Sequence, residues 1–281
     1  MSHDQIGDRM KENYENRTRY FLPRRTYTII RLDGKAFHTF TRGFKRPYDH
    51  LLMNVMDETA KALCKNIQGV KFAYVQSDEI SLLLTDFESE QTDAWFDGNI
   101  QKIVSVSASM ASAYFNNILM AAVAEAEGKD TITVDLLKSG KLAFFDARTY
   151  TIPDPNEVEN YFIWRQQDAT RNSIQMAAQV LYSPKELHGK NTSDMHEMMF
   201  VKGINWNDYT SGEKRGRAIV KQQYVITAKE AQVFEGLEEV KRSRWVALDG
   251  LSVDQLTNGE TPIFTSDRDF LSSRIPKIEL T

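Results

Sequence analysis

The chain has 281 residues, 41% of them hydrophobic and 26% charged, with a net charge of −4. That is enough chain and apolar content for a sizeable core in one large or two small globular domains, and the slight negative balance excludes broad, charge-driven coating of nucleic acid, so any RNA contact must come from local basic patches. A single cysteine, Cys64, excludes an internal disulfide and fits a reducing, cytoplasmic setting.

Residues 2–16 are charged, with Ile6, Met10 and Tyr14 at helical spacing. This predicts a short amphipathic helix capped by Ser2 or Asp4, without the apolar run of a signal peptide. Arg17, Arg19, Arg24 and Arg25 then gather as a solvated loop or a phosphate-facing patch. Tyr27 to Leu32 reads as a buried strand that ends at Asp33, where Gly34 lets the backbone turn. A helix opens at Pro47 or Asp49 and runs to about Lys65, with Leu52, Val55, Met56, Thr59 and Leu63 on one face, and Gly69 stops it. Phe72–Val75 and Ile80–Leu84 read as two strands joined by the polar turn Gln76-Ser77-Asp78-Glu79.

After a polar connection over 86–98, a long helix is predicted from Asn99 to Gly128. Its apolar stretch is broken by Ser105, Ser107, Ser109, Ser112, Asn116 and Asn117, which makes it a buried or interfacial helix and not a membrane span. Leu142–Arg148 reads as another strand, and Pro153 and Pro155 mark a boundary. Asn156–Tyr182 is a helical run, and Asp194–Met199 a shorter one. The stretch from Ser211 to Arg217 reads as a mobile basic hairpin tip. Val220–Ile226 and Trp245–Leu248 add β structure. Beyond about Lys229 no chemistry is legible; Lys241-Arg242-Ser243-Arg244 reads equally as an RNA contact or a solvated run. The β-α-β-β-α-β order predicts an α/β (α+β) fold: a ferredoxin-type antiparallel sheet with helices on one face, as in polymerase palms. This core occupies residues 1–150, and 151–281 form a helical and β extension packed on it as one continuous globular unit.

If the first strand lies beside the hairpin, Asp33 and Asp78 meet at one end of the sheet. Two carboxylates on rigid strands, with the Gly34 carbonyl, make an oxygen-only site suited to Mg²⁺. A pair of such ions clamps the attacking and leaving oxygens of an in-line phosphoryl transfer. Asp-Gly and Ser-Asp-Glu are equally common as ordinary turns, so spacing alone leaves both readings open.

Longer blocks are more specific. Arg31-Leu32-Asp33-Gly34-Lys35-Ala36-Phe37-His38, Gln76-Ser77-Asp78-Glu79, Tyr161-Phe162-Ile163-Trp164-Arg165-Gln166-Gln167-Asp168 and Gly203-Ile204-Asn205-Trp206-Asn207 follow in this order over most of the first 210 or so residues. In this they resemble the tRNA-histidine guanylyltransferase family. The resemblance implies a 3′-to-5′ nucleotidyltransferase with a palm-like core. Where the guanylyltransferases proper carry His-Ile-Asn-Asn-Leu-Tyr-Asn, this chain has Thr170-Arg171-Asn172-Ser173-Ile174-Gln175-Met176. It therefore resembles the guanylyltransferase-like branch, which repairs 5′-truncated tRNAs by template-directed addition.

The same resemblance implies catalytic roles for Asp33, Asp78 and Glu79, with Glu79 either a metal ligand or simply a hairpin residue. Two Mg²⁺ ions are implied at Asp33, Gly34 and Asp78. ATP and GTP, or another nucleoside triphosphate, are implied as substrates, cradled by Lys35, Ala36, Phe37 and His38 with Ser77 and Lys102. His38 is taken as a positioning residue and not a base. A nucleotide base is expected near Asp49, in a block where Arg46 replaces the family's lysine and Tyr48 its asparagine. Arg31, Arg165, Arg171, Lys214 and Arg215 are the expected RNA contacts. A tRNA partner and a homotetramer are implied, with no membrane. The alternative is guanylate addition to tRNA-His. Readings from other classes are a palm-fold nucleotide cyclase or dinucleotide synthase and a non-catalytic tRNA-binding protein.

Overall fold

A computed structural model describes residues 5–125, 140–227, 239–250 and 259–278; the expected caps Ser2 and Asp4 and the expected helix end Gly128 lie outside them. Side chains alternate across each central strand, and both sets are apolar. In β1 (Tyr27–Gly34), Ile30 and Leu32 enter one core while Tyr27 and Ile29 enter another. β2 (Val70–Gln76) divides in the same way between Ala73 and Val75 on one side and Phe72 and Tyr74 on the other. β3 (Glu79–Leu84) sends Ile80, Leu82 and Leu84 one way and Leu83 the other. A sheet apolar on both faces has to be covered on both, which is why these strands read as near-continuous hydrophobic runs.

With β4 (Phe145–Ile152), β5 (Arg217–Thr227) and β6 (Glu239–Leu248), the strands form one antiparallel sheet in the order β4-β1-β3-β2-β5-β6. The first four stand in the β4-β1-β3-β2 order that a β-α-β-β-α-β chain produces. The β5–β6 hairpin extends this sheet along the free edge of β2, so the late β segments join the palm's own ladder.

One face carries α3 (His50–Asn66) and α4 (Ile100–Glu125), which is the palm's helical layer. Asp49 caps α3 by accepting the Leu52 N–H. α4 is long and apolar enough to cross a membrane, but its stripe of Ile103, Ala111, Phe115, Leu119 and Val123 is buried in this core. The opposite face is covered by α5 (Pro155–Leu181), which starts at an Asp154 cap with Pro155 in its first turn and buries Val158, Tyr161 and Phe162 on the sheet. Helices thus cover one face within the palm, and the extension supplies the layer on the other.

Shorter helices complete the chain: α1 (Gln5–Met10), α2 (Phe37–Phe40), α6 (Pro184–Leu187), α7 (Thr192–Val201), α8 (Ser211–Arg215) and α9 (Arg268–Ser272). The expected mobile basic tip over 211–217 is a correction. Thr210 and Glu213 form a capping box that holds α8, Ser211 and Gly212 are buried, and Arg217 already belongs to β5. Gly216 turns between them at φ 74°, where a Cβ would strike the Tyr74 hydroxyl and the Val75 carbonyl.

Candidate active site

The chain turn after β1 and the tip of the β2–β3 hairpin meet through their backbones. The Gly34 N–H donates to the Asp78 carbonyl at 3.1 Å, and the next amide, Lys35 N–H, donates to the Phe144 carbonyl at 2.8 Å. Antiparallel register places Asp33 opposite Glu79 on β3 and opposite Asp146 on β4. Asp33 and Asp78 therefore share one end of the sheet. Burial pushes the Asp78 carboxyl up to about 6, and the charge of Asp33 adds to the rise. Neither carboxylate has an ion-pair partner among the described residues, although other acids are close. An all-oxygen donor set of this kind, charged and lacking a protein cation, fits a hard divalent ion. Among the described residues no cluster of three or more acidic, histidine or cysteine side chains is arranged to hold a metal, so a cation here would draw on two carboxylates and backbone oxygen.

Beside this centre opens a cleft of ≈ 580 Å³, walled by the 34–53 segment, the hairpin tip, the second half of α5, and the α8–β5 turn. Gly34, Ala36, Phe37, His38, Asp49, Ser77 and Asp78 all line it. The amides of Ala36, Phe37 and His38 have no acceptor among the described residues, while those of Gly34 and Lys35 are spoken for. Donors for an anion thus begin at Ala36, which sits in the left-handed region at φ 53°. Phe37 anchors the turn by packing on Phe40, Phe115 and Phe145.

Other expected residues lie elsewhere or are already engaged. Glu79 is gripped by Arg165, with Nε to Oε1 at 2.8 Å and Nη2 to Oε2 at 3.0 Å. Arg165 also reaches Asp168 at 2.9 Å and is 5% exposed, which leaves it no free side for RNA. Arg31 lies 3.9 Å from the same glutamate. Arg171 is exposed on α5 and pairs with Asp168 at 2.9 Å. Lys214 donates to the Asn207 carbonyl at 2.6 Å, and Arg215 to the Thr261 carbonyl at 3.2 Å. Lys102 sits in the first turn of α4, ten residues before Ser112, whose hydroxyl accepts the N–H of Phe145 opposite Gly34. That spacing puts it roughly 15 Å along the helix from the cleft end of the sheet. Asp49 lines the cleft with both oxygens in use, accepting from Lys45 N–H at 3.0 Å and Leu52 N–H at 3.1 Å.

The fold also brings to the cleft residues to which the sequence assigned no site role. Tyr48 bonds the Ser173 hydroxyl at 2.6 Å, and Trp206 Nε1 donates to that hydroxyl at 2.9 Å, closing one wall of the cleft between α5 and the 45–49 loop. Burial pushes the Tyr48 phenol up to about 12. Arg217 is buried against Asp57 of α3 at 2.8 Å. No local pattern marks these contacts; Tyr48 and Ser173 are visible in the sequence only as departures from a family pattern.

The chain matches the family model for tRNAHis guanylyltransferase over residues 7–153. It is 31% identical over 219 residues to a tRNA(His) guanylyltransferase of Debaryomyces hansenii, spanning 73% of this chain and 77% of the relative. It is 30% identical over 235 residues to an uncharacterized protein of Acanthamoeba polyphaga mimivirus, 79% of this chain and 78% of that one. Among solved structures it resembles a bacterial tRNA(His) guanylyltransferase-like protein in complex with ATP, at 40% identity and a TM-score of 0.76, covering 96% of this chain and 99% of the other. A bacterial protein of the same description in complex with GTP gives 39% identity and a TM-score of 0.72, covering 97% of this chain and 99% of that one. With a family model spanning more than half of its length and the palm order of strands, the chain belongs to the tRNA-His guanylyltransferase (Thg1) family of nucleotidyltransferases.

Proposed function

We propose that this nucleotidyltransferase extends tRNA at its 5′ end, repairing truncated molecules by template-directed addition in the 3′-to-5′ direction. The observation that carries the reading is the shared cleft: Asp78, Gly34 and the free amides of Ala36, Phe37 and His38 line one cavity of a size that takes a nucleotide. In the proposed reaction the RNA 5′-monophosphate attacks the α-phosphorus of ATP and releases pyrophosphate. The 3′-hydroxyl of a second nucleoside triphosphate then attacks the activated phosphate and releases AMP. Asp33, Asp78 and the Gly34 carbonyl would hold Mg²⁺, which when bound neutralises phosphate charge and lowers the pKa of the attacking hydroxyl. The amides from Ala36 to His38 receive triphosphate oxygens, and Phe37, wedged among three other rings, keeps that turn in place. Arg171, exposed on α5, is the proposed contact for an RNA phosphate, and a homotetramer is the proposed assembly.

Guanylate addition to tRNA-His has equal support from the relatives' names. The two readings separate on tRNAs lacking one or more 5′ residues, incubated with ATP, Mg²⁺ and each nucleotide while the opposing base is varied. Repair predicts that the added base follows the opposing one. Guanylate addition regardless of that base returns the protein to the second reading, and no addition to any tRNA removes both.

A further inference from the structure

Asp78 lines the cleft and Asp33 does not. Alternation along β1 puts Asp33 and Arg31 on the α5 face of the sheet, with Ile29 and Tyr27. Their partners on the edge strand β4, Asp146 and Arg148, lie directly opposite and so on the same face. α5 crosses this face over β3, where Tyr161 meets the Ser81 hydroxyl at 2.7 Å and Arg165 holds Glu79. Tyr161 also reaches Tyr150 of β4, but past it the edge strand is uncovered. The side chains of Arg148 and Asp146 are 52% and 59% exposed. An open shelf is left, floored by β1 and β4, flanked by α5 and running up to Asp33.

Trp164 stands on the α5 flank of this shelf. Phe162 and Gln166 turn toward Phe72 of β2 and the Pro262 carbonyl, and the helical rotation sets Trp164 on the other side, with Tyr161 toward β4. The Arg165 guanidinium covers its indole at 4.3 Å, and Tyr161 meets it edge-on at 5.9 Å. Arg165 is itself locked by Glu79 and Asp168, so the ring is held in plane before anything binds. It is nevertheless 45% exposed and forgoes the burial a tryptophan ordinarily gains. We infer that Trp164 is a stacking platform for the 5′-terminal base of the RNA, and that Arg148 takes that nucleotide's phosphate beside Asp33. This placement rests on the proposed function, in which the RNA 5′ end reacts with a triphosphate held in the cleft.

The proposed chemistry brings two phosphates to one acidic centre from different sides. The cleft supplies the side of Gly34 and Asp78, and the shelf is the approach on the side of Asp33. A free nucleotide is best held in an enclosed cavity, whereas a shelf open past the edge strand suits the end of a chain that continues outward. Arg171, already the proposed contact for an RNA phosphate, lies seven residues beyond Trp164 on the same flank of α5. Charge alone holds nothing here, because Asp33 and Asp146 offset Arg31 and Arg148. Stacking supplies the attraction instead, and it is tolerant of sequence because every base has a π-face, as addition directed by a template requires. Arg148 stands 3.6 Å from Asp146, too far for a hydrogen bond, which leaves its fork available to a phosphate.

The test is equilibrium binding to the full chain, with Mg²⁺ and without ATP, of a 5′-monophosphorylated tRNA lacking its first residue. The same RNA with an abasic 5′-terminal residue, and the same RNA without its 5′-phosphate, are the comparisons. Wild type is set beside Trp164→Ala, Trp164→Phe and Arg148→Ala, each checked for folding by its melting temperature. Trp164→Ala should weaken the parent RNA roughly tenfold, and Trp164→Phe should recover most of that loss. The abasic RNA should bind wild type and Trp164→Ala alike. Arg148→Ala should lower the slope of log affinity against log salt by about one and erase the difference made by the 5′-phosphate. Binding of ATP and of inorganic tripolyphosphate should be unchanged throughout. If Trp164→Ala fails to fold, the abasic RNA on wild type decides, and equal affinity for abasic and parent RNA overturns the platform. A tenfold abasic penalty that persists in Trp164→Ala, or an equal loss of ATP affinity in that variant, overturns it as well and leaves the proposed function standing. Wild type that binds no tRNA removes the proposed function and the platform with it.

Discussion

Arg165 and Glu79 lie 86 residues apart in the chain and meet fork to fork at 2.8 and 3.0 Å beneath the hairpin tip that carries Asp78. Both are buried, so the guanidinium compensates a carboxylate that water cannot reach. Glu79 thereby braces the turn beside Asp78, and Asp168 continues the chain of charges outward to Arg171.

Arg165→Met should destabilise the protein by about 3 kcal/mol, because it leaves the buried Glu79 carboxylate with no cation nearer than Arg31 at 3.9 Å. Adding Glu79→Gln should recover much of the loss. The check is a double-mutant cycle by chemical denaturation; additive losses would mean that the two side chains do not act as a pair.

Asp33→Ala and Asp78→Ala should each abolish nucleotide addition, by a factor of at least about a thousand, while the protein stays folded. Incorporation of labelled nucleotide into 5′-truncated tRNA, alongside a melting curve, measures both. Full activity in either variant would remove that carboxylate from the chemistry.

Asp78 also carries a pH signature. Its folded value of about 6 lies above the ordinary aspartate value of 3.8, so the folded protein holds a proton that the unfolded chain has given up between those limits. The stability this proton confers is present in full below about 3.8 and is lost as pH rises through 6. Asp78→Asn should accordingly stabilise the metal-free protein at pH 7.5 by on the order of 2 kcal/mol, allowing for partial exposure, with the gain fading toward pH 4. Melting temperatures of both proteins across pH 4–8 without divalent cations test it, and a pH-independent gap would refute it.

Ser173→Ala should unfasten one wall of the cleft. Trp206 Nε1 loses its acceptor and Tyr48 keeps only the more distant Ser173 carbonyl at 3.2 Å. The expected cost is about 1–3 kcal/mol, with a red shift and loss of order at Trp206 visible in tryptophan fluorescence. Unaltered stability and emission would mean that the hydroxyl holds neither ring.

Gly34→Ala places a Cβ 2.2–2.6 Å from the Phe37 ring, which has no room to retreat among Phe40, Phe115 and Phe145. Overpacking of this kind costs about 1–3 kcal/mol, and it should weaken binding of inorganic tripolyphosphate by shifting the Ala36–His38 turn. Calorimetric titration reads the second effect directly; unchanged affinity would detach that turn from phosphate binding.

By itself the sequence determined the palm and the approach of its two acidic turns. The apolar runs Tyr27–Leu32, Phe72–Val75 and Ile80–Leu84, and the 3.6-residue stripe of the helix from Asp49, are properties of a short window, so local chemistry sets them wherever the chain goes. The order of those elements then restricts how they assemble, and the quoted blocks name the family. Only the tertiary structure decided which side chains reach the cleft. Asp57 lies 160 residues from the Arg217 it holds, Tyr48 is 125 from Ser173, and Glu79 is 86 from Arg165. Whether a charge is a ligand or a brace depends on a partner that no local pattern encodes. Glu79 and Arg165 accordingly turned inward as structural contacts, Asp49 stayed at the cleft while capping α3, and Lys102 went to the far end of its helix, while Arg217, read in the sequence only as part of a basic tip, was brought to the cleft wall by the pairing of β5 with β2.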